Sequence, residues 1–314
     1  MNVKKIVVGI SVGWTLLSLP ALGYLALQSP PAKRQSTPPR SKAAAPAHAA
    51  RIARPPDLGV DWARPESPEL AALLYRYFPQ PLSQHYEEVF IRDYFEDRKG
   101  GFLVDVGASH YKTRSTTHYL DVALGWHGIA IDAIEELAAD YARYRPRTKF
   151  FPVFVSDRSD EDVDFHVILG NSRLSTASTE AAQAHRGAQE IRKLKTVTLN
   201  ALLESQGVEK IDLLSMDIEL WEPKALAGFD IDRYQPELVV IEAHPPVRDE
   251  IFAYFAAHDY VLLEQYSKWD GRNAYFIPKA HLARFEARKR AERALLASTA
   301  HVARLEQPPA SAGP

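Results

Sequence analysis

Gly101-Phe102-Leu103-Val104-Asp105-Val106-Gly107, followed by Ala108 and Ser109, decides the fold. A short apolar run closes on glycine and small residues. That is the pattern of a buried strand that turns sharply at its carboxyl end. Comparable runs follow at 128–132 (GIAID), 149–155 (KFFPVFV), 163–168, 210–216 (KIDLLSM) and 237–241 (ELVVI). Pro152 puts the third of these at an edge or a bulge. Between the runs the pattern is helical at 114–124, 134–144, 178–191 and 248–257. Two further helices precede the first strand, one opening at Ser67-Pro68-Glu69 with Ser67 as N-cap and one at 83–96. Strands at 260–264 and 273–277, joined by a polar turn at Asp270-Gly271, close the body. Continuous apolar strands separated by helices indicate an α/β fold with a doubly wound, mostly parallel sheet covered on both faces. In such a sheet ligands sit beyond the carboxyl ends of the strands.

The 314 residues are 46% apolar and 25% charged, a globular composition. There is no cysteine, which removes disulfides, thiolate zinc sites and a cysteine nucleophile. The net charge of −2 hides an asymmetry. Residues 1–56 carry Lys4, Lys5, Lys33, Arg34, Arg40, Lys42, Arg51 and Arg54 and no acid, and residues 280–314 carry twice as many bases as acids. The central body is therefore acidic, which argues against nucleic acid as its partner.

Ile6 to Leu27 is 22 residues without a charge. As a helix it would span roughly 33 Å, enough for a bilayer core. It reads as an uncleaved single-pass anchor or as a signal peptide cut near Ala21-Leu22-Gly23. Residues 29–65 are rich in proline, alanine and basic side chains and read as a solvated tether. The expected organisation is an anchor or signal at 1–28, this linker, a catalytic body at 66–279, and a basic helix and tail at 280–314. The expected location is the membrane, with the body in the cytoplasm. A secreted or periplasmic body is the alternative.

The strand ends carry the candidate chemistry. After the first strand only Gly107 is present where a dinucleotide turn wants three glycines, so a pyrophosphate cradle is disfavoured and NAD with it. Asp132 ends the second strand, where a carboxylate accepts hydrogen bonds from a ribose diol. A glycine turn plus this acid fits S-adenosylmethionine. Asp105, Gly107, Ala108, Ser109, Asp132, Ser156 and Asp157 are the candidate cofactor contacts, with Asp105 placed for an ammonium group and Ser156-Asp157 for an adenine edge. Strand alternation puts Asp217 and Glu219 on one face, and Glu242 and His244 on one face of the next run. These four read as an acid/base set, a metal site or a polar rim of helix-capping acids. His110, Asp217, Glu219 and His244 are the catalytic candidates, and no metal ligand is assigned.

These residues resemble the FkbM family of methyltransferases from about Ser83 to Pro278. Ser83-Gln84 and the helix from Glu87-Glu88 to Phe95 lead into Gly101-Phe102-Leu103-Val104-Asp105-Val106-Gly107-Ala108, similar to the family's GFFVDVGA-like run. Ser115-Thr116-Thr117-His118-Tyr119-Leu120, Leu124-Gly125-Trp126-His127-Gly128-Ile129-Ala130-Ile131-Asp132, Leu174-Ser175-Thr176-Ala177-Ser178, Val197-Thr198-Leu199 and Lys210-Ile211-Asp212-Leu213-Leu214-Ser215-Met216-Asp217-Ile218-Glu219 continue the series in order. The resemblance implies a class I, Rossmann-like methyltransferase that binds S-adenosylmethionine and O-methylates a sugar, glycan or lipid-linked saccharide. Asp105, Gly107, Asp132 and Asp157 take the matching cofactor positions. Ser109-His110-Tyr111-Lys112 departs from the family after the glycine turn, and Leu220 stands where the family has glycine. If that glycine serves a positive φ, leucine would block the turn. A degenerate member acting as a non-catalytic glycan-binding module is therefore the alternative.

Overall fold

The computed structural model describes residues 67–77, 83–184 and 188–305. The apolar run at 6–27, the tether and the tail after 305 lie outside the described residues. Among the described residues no helix is long and apolar enough to cross a membrane. The expected single-pass membrane location is corrected accordingly: it is not supported by any described helix.

In chain order the elements are α1 (Pro68–Tyr77), α2 (Glu87–Phe95), β1 (Phe102–Val106), α3 (His118–Leu124), β2 (His127–Ile131), α4 (Ala138–Tyr144), β3 (Thr148–Phe151), β4 (Phe154–Val155), β5 (Asp162–Ile168), α5 (Thr179–Ala184), β6 (Gln189–Val197), α6 (Leu199–Ser205), β7 (Leu213–Met216), α7 (Glu222–Ala227), α8 (Ile231–Tyr234), β8 (Leu238–Glu242), α9 (Pro245–Ala257), β9 (Tyr260–Leu262), α10 (Glu264–Asp270), β10 (Asn273–Pro278) and α11 (Lys279–Leu305). Seven strands form one sheet in the order β3-β2-β1-β7-β8-β10-β9. The pairings β1/β2, β2/β3, β1/β7 and β7/β8 are parallel, and β10 is antiparallel to both neighbours.

Alternation along the strands feeds two cores. Val104, Val106, Ile129, Ile131, Leu214, Met216, Val239 and Ile241 pack with α6, α7, α8 and α9. Leu103, Leu213, Leu238, Val240, Tyr275 and Ile277 pack on the other face with α1, α2, α3 and α10. The inner strands β1, β2, β7, β8 and β10 are buried on both sides, so each reads as a mostly apolar run.

The chain winds from β1 out to β3 and returns on the other side of β1 as β7. The switch point therefore lies between β1 and β7. The register pairs Val106 with both Ile131 and Met216. The next residues, Gly107, Asp132 and Asp217, emerge together at that edge.

Three expectations change. The run at 149–155 is two strands. Pro152 has no N–H to continue the ladder, and β4 leaves the main sheet to pair with β6. The helix expected at 178–191 ends by Ala184, and Gln189–Val197 is a strand antiparallel to β5. The polar turn before Gly271 is mostly the helix α10.

α1 starts as expected, with the Leu70 N–H donating to Ser67 Oγ at 3.1 Å. α11 does not stand free in solvent. Leu282 and Phe285 pack on the α2/β10 core, and Lys289 forms an ion pair with the buried Asp93.

Candidate active site

A cleft opens at the switch point, enclosing about 520 Å³ of space that includes open solvent. Gly107, Ser109, Asp132, Asp217 and Glu219 line it, with Val155, Phe154 and Phe165 as apolar wall and Arg173 reaching in from a 3-10 turn.

Gly107 has φ +81°, and a Cβ there would lie 1.8 Å from the Asp217 carbonyl oxygen. Only glycine lets the two strand ends approach this closely. The Gly107 and Ala108 N–H groups both donate to the Ile131 carbonyl, at 2.8 and 3.0 Å. Ser109 also takes positive φ, and its N–H donates to Asp132 Oδ2 at 2.9 Å. The Ile134 N–H donates to Asp132 Oδ1 at 2.9 Å. One carboxylate thus fixes both loops and keeps further lone pairs toward the cleft. Burial pushes the Asp132 carboxyl up to about 6 against the pull of these two N–H bonds.

The other sequence candidates sit away from the lining. Asp105 is buried in β1 and accepts the Thr117 hydroxyl at 2.6 Å. Burial raises its pKa, partly offset by that bond. The Ala108 carbonyl accepts from the Tyr141 hydroxyl at 3.0 Å. Ser156 is buried and donates to Asp157 Oδ1 at 3.0 Å. Burial acts upward on Asp157 but is outweighed by the Ser156 bond and Lys224, so its pKa is lowered. His110 stacks on Tyr111, and its Nδ1 accepts from the Lys112 and Thr113 N–H groups at 3.0 and 2.9 Å. That pattern keeps the neutral ring's proton on Nε2.

Beyond β7 and β8 the acids converge. Ligand atoms of Glu219, Glu242 and His244 lie within 4.8 Å of one another, as do those of Asp217, Glu222 and Glu242. Glu242 Oε1 is 2.9 Å from His244 Nε2. Glu222 Oε1 accepts the Ile218 N–H at 2.9 Å. Desolvation within the cluster is the first cause of every carboxyl shift here, Asp217 included although it keeps an exposed edge at the cleft. It raises Asp217, moves Glu219 to about 7 beside Asp217, Glu222 to about 8, and Glu242 to about 11 with the charges of Asp217 and Glu219 added. Burial and then Arg272 lower the His244 pKa. Glu219 and Leu220 both have positive φ, +54° and +72°, and the Thr176 hydroxyl donates to the Glu219 carbonyl at 2.8 Å. Leucine therefore occupies the left-handed conformation that glycine would take freely.

A family model for the methyltransferase FkbM domain matches residues 105–267. The chain belongs to the FkbM methyltransferase family. No curated protein matches it significantly. The matched segment of this FkbM domain contains the whole cleft lining together with Glu222, Glu242 and His244.

The sequence reading assigned no role to Arg173 or Glu222. Glu222 had a signal, an acid three residues after Glu219 with Pro223 opening a helix behind it. Arg173 had none. It is a single arginine in a loop, placed by its bond to Gln84 Oε1 at 2.9 Å.

Proposed function

We propose that this FkbM methyltransferase uses S-adenosylmethionine and methylates a hydroxyl oxygen of a sugar or glycan. The observation that carries the reading is the pairing of Gly107 and Asp132 at the switch point. The chain approaches closely there, and one carboxylate faces the cleft already oriented by two backbone N–H groups. That donor set fits a nucleoside. The free lone pairs of Asp132 suit a ribose diol, and Phe154, Val155 and Phe165 supply an apolar wall for a base. The absence of further turn glycines disfavours a pyrophosphate.

S-adenosylmethionine supplies an electrophilic methyl group on a sulfonium. The protein's task is to hold the acceptor oxygen in line and exclude water. Asp217 and Glu219 line the cleft next to the nucleoside position, where they can orient an acceptor hydroxyl or receive its proton. The acceptor class comes from the family resemblance. The rival reading, a non-catalytic glycan-binding module, began from Leu220 in place of glycine. Leu220 takes φ +72° all the same, so that premise weakens.

Calorimetric titration of the full chain with S-adenosylmethionine tests the reading, with Asp132→Asn as control and circular dichroism to check folding. The expected result is binding that the variant weakens about tenfold or more, the scale of one lost charge-assisted hydrogen bond. No binding by folded wild type, or binding of NAD instead, would remove the methyl donor from the account.

A further inference from the structure

Four carboxylates, Asp217, Glu219, Glu222 and Glu242, cluster at the ends of β7 and β8. Among the described residues none of them lies within 4.0 Å of a lysine or arginine nitrogen, and the group's one ion pair is Glu242 with His244. Arg173 and Arg272 act on the group only from farther off. Glu242 is the member with a ligand still missing. Its side chain is 7% exposed, its Oε2 has no N–H or O–H donor, and its neighbour besides His244 is the Asp217 carboxyl, with which it can only share a proton. A buried acceptor left this way is costly unless a proton or a cation satisfies it. Glu242 is also the residue common to both close triads, so it sits at the centre of the cluster.

We propose that Glu219, Glu242 and His244 bind a divalent cation of the magnesium–manganese class, with Asp217 on the cleft side and Glu222 buried beneath as neighbouring acids. Two carboxylates and one imidazole, with no thiolate in the chain, make a mostly hard donor set that suits manganese or magnesium. Their ligand atoms already lie within 4.8 Å of one another, so small side-chain movements close the site. Three protein ligands leave the remaining octahedral positions for water or for oxygens of a bound ligand. Glu219 is the ligand that also lines the cleft, so those open positions border the acceptor side. There a cation would polarise a hydroxyl. The site does not depend on S-adenosylmethionine as the methyl donor.

The test is electron paramagnetic resonance of Mn²⁺ titrated into the full chain, where bound ion loses the free-ion signal. We expect one equivalent bound, displaced by excess Mg²⁺. Glu242→Gln should weaken it about tenfold or more, the scale of altered metal-site shells. That variant keeps the side-chain volume and one carbonyl oxygen, so the fold should persist. Glu219→Gln serves as a second probe with an exposed edge. No bound Mn²⁺ at millimolar concentration in folded wild type overturns the proposal, as does unchanged affinity in both variants. Calorimetry with S-adenosylmethionine on the same samples separates the two claims. Mn²⁺ binding without cofactor binding keeps the cation site and removes the methyl donor, and the reverse removes the cation site alone.

Discussion

Gly107 and Asp217 meet across the switch point so closely that no side chain fits between them. Gly107 lies at φ +81°, with the Asp217 carbonyl 1.8 Å from where its Cβ would be. Gly107→Ala must therefore either move β7 away from β1 or distort the turn. Strain at a left-handed position costs about 1–3 kcal/mol, and a backbone clash adds to it. The expected loss is about 3 kcal/mol or more, read as a lower urea midpoint with unchanged slope. A loss below about 1 kcal/mol would mean the approach is looser than described.

Leu220 stores a smaller strain at φ +72°. Leu220→Gly releases roughly 1–2 kcal/mol of left-handed strain but gives up chain entropy and part of a half-buried side chain. The two nearly cancel, so stability should change by no more than about 1 kcal/mol. Leu220→Val should instead cost about 1–2 kcal/mol, because a β-branched residue tolerates positive φ least. Urea melts of both variants check this. Equal losses in the two would show that side-chain packing, not backbone conformation, governs the position.

The residues legible from sequence share one property. Gly107, Asp132, Asp217 and Glu219 each follow a continuous apolar run, and the run announces the strand whose end they mark. β6 was illegible for the opposite reason. Its Ile191 is 60% exposed and its remaining side chains are mostly polar, so neither a buried run nor a clean alternation marks it. Asp105 reads as a ligand contact because it sits in the right strand. The hydroxyl of Thr117, twelve residues later, claims it, and no local pattern shows that. The convergence of Glu222 and Glu242 depends on the β7/β8 pairing, a long-range fact that spacing does not encode.

Arg145 holds the underside of the first strand end. It is fully buried, its Nε donates to Asp121 Oδ2 at 3.1 Å and its Nη1 to Thr117 Oγ1 at 3.0 Å, and Thr117 in turn donates to Asp105. Arg145→Met leaves the buried Asp121 with the half-exposed Arg147 as its only cation and the Thr148 hydroxyl as its other donor. Breaking such a pair typically costs about 3–5 kcal/mol. Asp121→Leu combined with Arg145→Met removes both charges and should recover much of that loss. A double variant no more stable than Arg145→Met would show that the arginine acts through Thr117 rather than through the charge pair.

Glu87 and Asp270 form a second buried acid pair, bridged by the Asn273 side-chain amide at 3.3 Å to Glu87 and 3.1 Å to Asp270. Burial and the partner's charge push Glu87 up to about 8, and burial pushes Asp270 up to about 6. Both folded values lie above the ordinary carboxylate range, so the native state holds more protons than the unfolded chain between roughly pH 4.5 and 8. The stability this provides is present below the unfolded pKa and is lost as pH rises through the folded one. Wild type should therefore lose stability from pH 6 to pH 9. Glu87→Gln mimics the protonated acid and cannot ionise. It should match wild type near pH 5 and exceed it at pH 9, by about 1–2 kcal/mol after allowance for coupling to Asp270. Thermal melts at the two pH values read the difference directly, and parallel curves for the two proteins would show that Glu87 does not hold its proton in the fold.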